Sequence, residues 1–198
     1  MSRIQKVAVE NWDPELRRAT AADDGTPLEQ GLVRMMANAP DMAKAVTGFG
    51  GALMKARALP RRLVELVRLR IAFHNQCRSC MAIRYKTAID DGLTEGMVCS
   101  LERPQDASDL TPAEKAAIAY ADQASTDHFS IDDGTFDSLR EHFTEAEIVE
   151  LCIFAAFFIG FGRLGASWDM VEELPQEFQK RSAAPIVPWG QDAITVRG

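Results

Sequence analysis

Thr144-Glu145-Ala146-Glu147 reads as a helix start: a threonine able to cap the N3 amide, and a glutamate three residues on to return the bond. Behind it, Ile148 to about Met170 is apolar nearly all round. A helix with no polar face has nothing to offer water, so this run predicts the most buried element of a bundle. Thr111-Pro112-Ala113-Glu114 is a second capping box, followed by Ala117, Ile118, Tyr120 and Ala121 on one helix face. Leu28 to Ala39, Asp41 to Ala56, a stretch from Pro60 to Phe73, a helix from the Cys77 region to about Asp91, a short one after Thr94 and Asp132 to His142 complete the series. No stretch shows the sustained alternation of strands. The expected fold is all-α, a single-domain helical bundle over 28–181, with an N-terminal arm (1–27) and a C-terminal arm (182–198). Ile186, Val187 and Trp189 in the second arm need covering, which suggests arms laid over a neighbouring subunit.

The formal net charge of -7 argues against nucleic acid and against an anionic membrane as partner, since both require clustered Lys and Arg. The basic residues Arg57, Arg61, Arg62, Arg68 and Arg70 are interrupted by Glu65 and read as a helix flank. Met1 to Glu10 lacks the apolar core of a secretory signal, and Leu151 to Gly162, the longest uncharged stretch, is 12 residues. The expectation is a cytoplasmic protein, in which four cysteines are free, metal-bound or catalytic rather than structural disulfides.

Cys77-Arg78-Ser79-Cys80 carries the chemistry. Residues i and i+3 share a helix face, so the sulfurs can meet, and a helix N-terminus favours thiolate through its unpaired N–H groups and positive dipole end. Three readings stand: a reversible dithiol, half of a zinc site, or inert packing. Zinc needs four ligands, and Cys99, Cys152, His74, His128 and His142 show no matching spacing, so neither a metal nor another cofactor is expected. Cys99 and Cys152, set among apolar residues, read as buried packing residues. Glu65, twelve residues before Cys77, has Arg61, Arg62 and Arg68 at i-4, i-3 and i+3, so a surface ion pair is its plain reading. His74 reads as a capping or loop-packing residue. Leu63-Val64-Glu65-Leu66 matches Ile148-Val149-Glu150-Leu151 at an offset of 85, which puts Gly162 on Cys77 and Gly165 on Cys80. A duplicated helical hairpin and chance both explain that match.

With Glu65 spaced before the Cys pair, Asp91-Gly92-Leu93-Thr94 after the next helix, Asn38-Ala39-Pro40 and the Thr111 capping box, the chain resembles the alkylhydroperoxidase D and carboxymuconolactone decarboxylase superfamily. The resemblance implies an all-helical fold assembled as a homotrimer or homohexamer. It further implies that Cys80 attacks a hydroperoxide, Cys77 resolves it and Glu65 acts as relay base, with an external dithiol or a protein reductant restoring the pair. The relay histidine of that pattern falls on Arg84, which stays protonated and cannot be a base. Arg84 is expected instead to favour the Cys80 thiolate or pair with Glu65, with Tyr85 and His74 as substitutes in proton transfer. The implied function is thiol-dependent hydroperoxide reduction. The alternatives are a decarboxylase-like enzyme of aromatic degradation, with the cysteines incidental, and a non-enzymatic dithiol sensor.

Overall fold

The computed structural model describes residues 2–56, 58–180 and 184–197, with backbone only at residue 56. Among them are twelve α-helices and two short strands. In chain order these are α1 (Pro14–Ala19), α2 (Pro27–Gln30), α3 (Val33–Met36), α4 (Pro40–Ala56), α5 (Arg61–Asn75), α6 (Arg78–Ala82), β1 (Ile83–Tyr85), α7 (Lys86–Asp90), α8 (Glu95–Ser100), α9 (Pro112–Thr126), α10 (Asp133–Arg140), α11 (Glu145–Trp168), α12 (Gln176–Gln179) and β2 (Ile194–Val196). Both capping boxes form: Thr111 and Glu114 at α9, Thr144 and Glu147 at α11. The stretch read as one helix from Leu28 to Ala39 is two, because Gly31 turns the chain at φ +47°.

The centre of the bundle is α5, not α11. Ten of the fifteen residues of α5 are buried, wedged between α9 and α11. In α11 only Ile148, Leu151, Phe154, Ala155, Gly162 and Gly165 are buried, although it is 24 residues long. One face packs on α5, and the opposite face leaves Val149 at 56% and Ile153 at 41% exposure. An apolar run fixes that a helix needs cover; it does not say whether the cover comes from the same chain. Length and composition would also let α11, alone among the described residues, cross a bilayer, but here it is the main packing partner of α5 besides α9.

The helix expected from the Cys pair to Asp91 is interrupted by β1. In a continuous helix the carbonyls of Cys80 and Ile83 would accept from amides four residues on. Here both are taken by the Arg68 side chain, Nη1 donating to Cys80 O at 2.6 Å and Nη2 to Ile83 O at 3.0 Å. The freed segment pairs with β2 in parallel, Ile83 with Ile194, Arg84 with Thr195 and Tyr85 with Val196. Against the 85-residue offset, α11 runs unbroken where α5 and α6 are separated, so the two segments share a helix but not the turn that carries the cysteines.

Both terminal segments make packing contacts with their own chain. Trp12, Leu16 and Ala22 form a small core with Ala43 of α4. Trp189 packs on Phe73, with ring centroids 4.9 Å apart. The Gln76 side chain donates to Ile186 O and accepts from Ile186 N, at 3.1 and 2.9 Å. The boundary expected at 181–182 and Arg57 of the basic cluster lie outside the described residues.

Glu29 clasps the end of the C-terminal segment, accepting from the Arg197 amide at 3.0 Å and its Nε at 3.1 Å. Bonds from Thr26 and then Arg197 hold its carboxyl at about 2, below the ordinary 4.5. A depressed carboxylate stabilises the fold above its unfolded pKa and loses that contribution as pH falls through the folded one. Urea melts of the wild type and Glu29→Gln are therefore expected to differ above pH 4.5 and to converge as pH approaches 2.

Candidate functional site

The turn between α5 and α6 sets the cysteines. Gln76 ends α5 in the left-handed region at φ +50°, and Cys77 is the N-cap residue of α6. The sulfurs of Cys77 and Cys80 are joined, 2.08 Å apart, with their Cα atoms 5.2 Å apart. Cys77 is fully buried, whereas Cys80 is partly exposed. Ser79 Oγ lies 3.6 Å from Cys77 Sγ and can donate to it weakly. The turn is backed by two glycines of α11. A Cβ on Gly165 would sit 3.3 Å from Cys77 Sγ, and one on Gly162 would sit 2.4 Å from Asn75 Nδ2. These are the two positions that the 85-residue offset aligned with the cysteines.

Glu65 is not on the surface. It is 2% exposed and Arg68 4%, and the two form a bidentate pair with both N···O distances at 2.7 Å. Glu65 Oε1 also accepts from the Tyr85 amide at 3.2 Å. The same guanidinium holds the Cys80 carbonyl and stacks over the Tyr85 ring at 5.0 Å from its centroid. Arg68 thus joins Glu65, Cys80 and Tyr85, and it is the residue that sequence reasoning missed. The signal was its i+3 spacing from Glu65, read as a solvated pair.

Arg84 does not face the cysteines. It is 1% exposed, with Nε donating to Glu95 at 3.0 Å and Nη2 to the Pro188 carbonyl at 2.8 Å. The cause is the strand: successive side chains of β1 point to opposite sides, so residue 84 is turned away from its neighbours 83 and 85. His74 is likewise elsewhere. Its Nε2 lies 2.6 Å from Asp122 Oδ1, beside the Arg70–Asp122 pair between α5 and α9. Cys99 is exposed and Cys152 only half-buried, contrary to the expected burial of both. Among the described residues no group of three or more His, Cys, Asp or Glu side chains forms that could hold a metal ion.

Cys80, Ser79, Arg68 and Tyr85 open on a cavity of about 650 Å³. Its far walls are mostly apolar: Leu28, Leu32 and Met36 from the N-terminal segment, Val46 and Met54 from α4, Phe157, Phe158 and Phe161 from α11. Val196 and Arg197 close one side. That volume and lining suit an organic molecule of tens of atoms. A second pocket, about 10 Å³, lies behind Glu65 and is bounded by Arg68, Tyr85, Thr87 and Phe158. It has room for about one water molecule. The two spaces share Met54, Arg68, Tyr85 and Phe158 as a common wall.

Residues 40–123, which include Glu65, Cys77 and Cys80, match the carboxymuconolactone decarboxylase family. An uncharacterized protein of Mycobacterium tuberculosis is 36% identical over 114 residues, 56% of this chain and 39% of that protein. The chain therefore spans about two-fifths of the length of the curated relative it matches. Among solved structures, an uncharacterized peroxidase-related protein from Ralstonia eutropha with an alkylhydroperoxidase AhpD core superposes with a TM-score of 0.73 at 19% identity, over 93% of this chain and 98% of that one. The debrominase Bmp8 superposes with a TM-score of 0.72 at 19% identity, over 90% and 97%. At such identities these two structures speak to the fold. The segment that holds the glutamate and the cysteine pair thus matches the carboxymuconolactone decarboxylase family, and the chain shares its fold with an alkylhydroperoxidase AhpD core.

Proposed function

We propose that this chain is a thiol-dependent hydroperoxide reductase. The observation that carries the reading is the asymmetry of the joined pair: Cys77 is buried, while Cys80 opens on a large, mainly apolar cavity. Once reduced, the thiol that substrate can meet is Cys80, and the one that waits behind it is Cys77. Cys80 attacks the peroxide and becomes a sulfenic acid, which Cys77 converts to the disulfide with loss of water. An external dithiol or protein reductant restores the pair by thiol–disulfide exchange at Cys80, in a cytoplasmic setting where thiols are kept reduced. Glu65 holds Arg68 in place and takes part in proton movement through the one-water pocket.

Turnover of an organic hydroperoxide with an artificial dithiol tests this. Cys80→Ser is expected to abolish activity, and Cys77→Ser to stop after one turnover with the sulfenic acid or its further oxidation products at Cys80. A wild type that forms the disulfide yet shows no catalytic turnover would instead be a redox sensor. Activity that survives Cys80→Ser would point to the decarboxylase-like reading.

A second reading concerns the substrate. Phe157, Phe158 and Phe161 wall the cavity, with Phe157 and Phe161 ring centroids 4.7 Å apart, a surface suited to a flat ring. A solved relative is a debrominase, with a cysteine-to-alanine variant held in complex with 2,3,4-tribromopyrrole. Bromide release from a brominated aromatic in the presence of dithiol decides between the two substrates.

We further propose that the working form is a homotrimer or homohexamer. The resemblance implies it, and Phe49 at 49%, Val149 at 56% and Ile153 at 41% exposure leave apolar surface on α4 and α11 that another copy would cover. Light scattering at micromolar concentration is expected to give three or six times 21.9 kDa. A mass of one chain refutes it.

A further inference from the structure

The break in the helix after Cys80 changes which residue is presented to the substrate. In an uninterrupted helix, residue 84 would lie one turn beyond Cys80 and share its face. In β1 the alternation is by two, and Ile83 and Tyr85 both line the large cavity while Arg84 points the other way, to Glu95 and Pro188. Tyr85 is fixed there from three directions: its amide donates to Glu65, its ring lies under the Arg68 guanidinium, and its backbone pairs with Val196. It also bounds the one-water pocket behind Glu65, so its side chain stands between that pocket and the space in front of Cys80. No hydrogen bond to its hydroxyl forms among the described residues.

We propose that the Tyr85 hydroxyl is the proton donor to the leaving oxygen, in the position that Arg84 does not fill. This rests on the hydroperoxide-reductase reading and gives it a catalytic acid. The Cys80 thiol first ionises, its proton passing to the pocket water beside Glu65. The thiolate attacks the terminal oxygen of R–O–O–H: the S–O bond forms, the O–O bond breaks, and two electrons pass from sulfur to the leaving R–O⁻. That alkoxide takes the Tyr85 proton and departs as the alcohol. The tyrosinate recovers the proton released earlier by Cys80. Cys77 then attacks the sulfenic sulfur and water leaves, so one dithiol and one hydroperoxide give one disulfide, one alcohol and one water. Burial and the nearby Glu65 carboxylate push the phenol up and Arg68 only partly opposes them, so Tyr85 carries its proton at neutral pH and is a donor rather than a base.

Two oxidants separate a proton donor from a wall residue. A tert-alkyl hydroperoxide leaves as a strongly basic alkoxide that needs a proton, whereas a peracid leaves as a carboxylate that does not. With full-length reduced protein, Tyr85→Phe is expected to lower kcat/KM for the alkyl hydroperoxide by about 100-fold or more. For the peracid, and for iodoacetamide alkylation of Cys80, the change is expected to stay within about 3-fold, because neither step needs the donor. An equal fall with both oxidants, or no fall with either, overturns the role of Tyr85 while leaving the reductase reading standing. A wild type that reduces neither oxidant overturns that reading and the donor together.

Discussion

Replacing Arg68 by alanine is expected to destabilise the chain by about 3–5 kcal/mol and to slow alkylation of the reduced Cys80 at pH 7. The first effect follows from burial. Glu65 and Arg68 are 2% and 4% exposed, and removing the guanidinium strands a carboxylate away from water with only the Tyr85 amide left as partner. It also frees the carbonyl of Cys80 and leaves that of Ile83 with the Arg84 guanidinium as its side-chain donor. The second effect is one of charge. Glu65 disfavours a thiolate nearby, and the guanidinium bonded to the carbonyl of Cys80 itself offsets it. Removing both members, as in Glu65→Leu with Arg68→Met, is expected to recover much of the stability, because no charge is then left unpaired. Arg84→Ala is expected to leave the alkylation rate unchanged and to loosen the C-terminal segment, since its side chain bonds Glu95, the Pro188 carbonyl and the carbonyls of Met81 and Ile83. Chemical denaturation together with alkylation rates against pH reads all three variants. An Arg68→Ala protein as stable and as reactive as the wild type would remove Arg68 from the centre of the site.

Gly162→Ala is expected to destabilise by about 1–3 kcal/mol, a large effect for a single methyl group. That methyl would sit 2.4 Å from Asn75 Nδ2. A flexible side-chain tip could swing aside, but this one is pinned: Nδ2 donates to Phe158 O and lies within reach of Ile159 O, and Oδ1 accepts from Arg163 Nε. Asn75 is also 9% exposed, so displacing it costs bonds that water does not replace. It closes α5 just ahead of Gln76 and Cys77, and movement there reaches the cysteine turn. A double-mutant cycle with Asn75→Ala separates the causes. Strongly non-additive losses are expected, because Asn75→Ala makes room for the new methyl. Additive losses would place the cost in α11 itself.

The helices with chemical punctuation were legible from the sequence. Thr111 and Thr144 start α9 and α11 where their capping boxes stand, and Pro40 and Pro60 open α4 and α5. What escaped was decided by contacts distant along the chain. Nothing within residues 77–91 announces the strand, because the helix is broken by carbonyls bonded to a side chain from α5. That break carried Arg84 away from the cysteines and brought Tyr85 to the cavity, so of two adjacent candidates the structure keeps one at the site. Glu65 was identified for the right spacing, but its pairing with Arg68 is a buried one, which spacing alone does not reveal. The apolar character of α11 was plain, yet its division between a face on α5, a wall of the cavity and an exposed strip needed the whole packing.

The dithiol cycle itself is tested most directly by intact-mass spectrometry of the reduced chain after one equivalent of an organic hydroperoxide. Loss of two hydrogen atoms, with peptide mapping that joins Cys77 to Cys80 and with Cys99 and Cys152 still free, is the expected result, and a dithiol should reverse it. In Cys77→Ser the same treatment should add one oxygen at Cys80 instead. An unchanged mass, or oxidation confined to the exposed Cys99, contradicts a peroxide-reducing role for the pair.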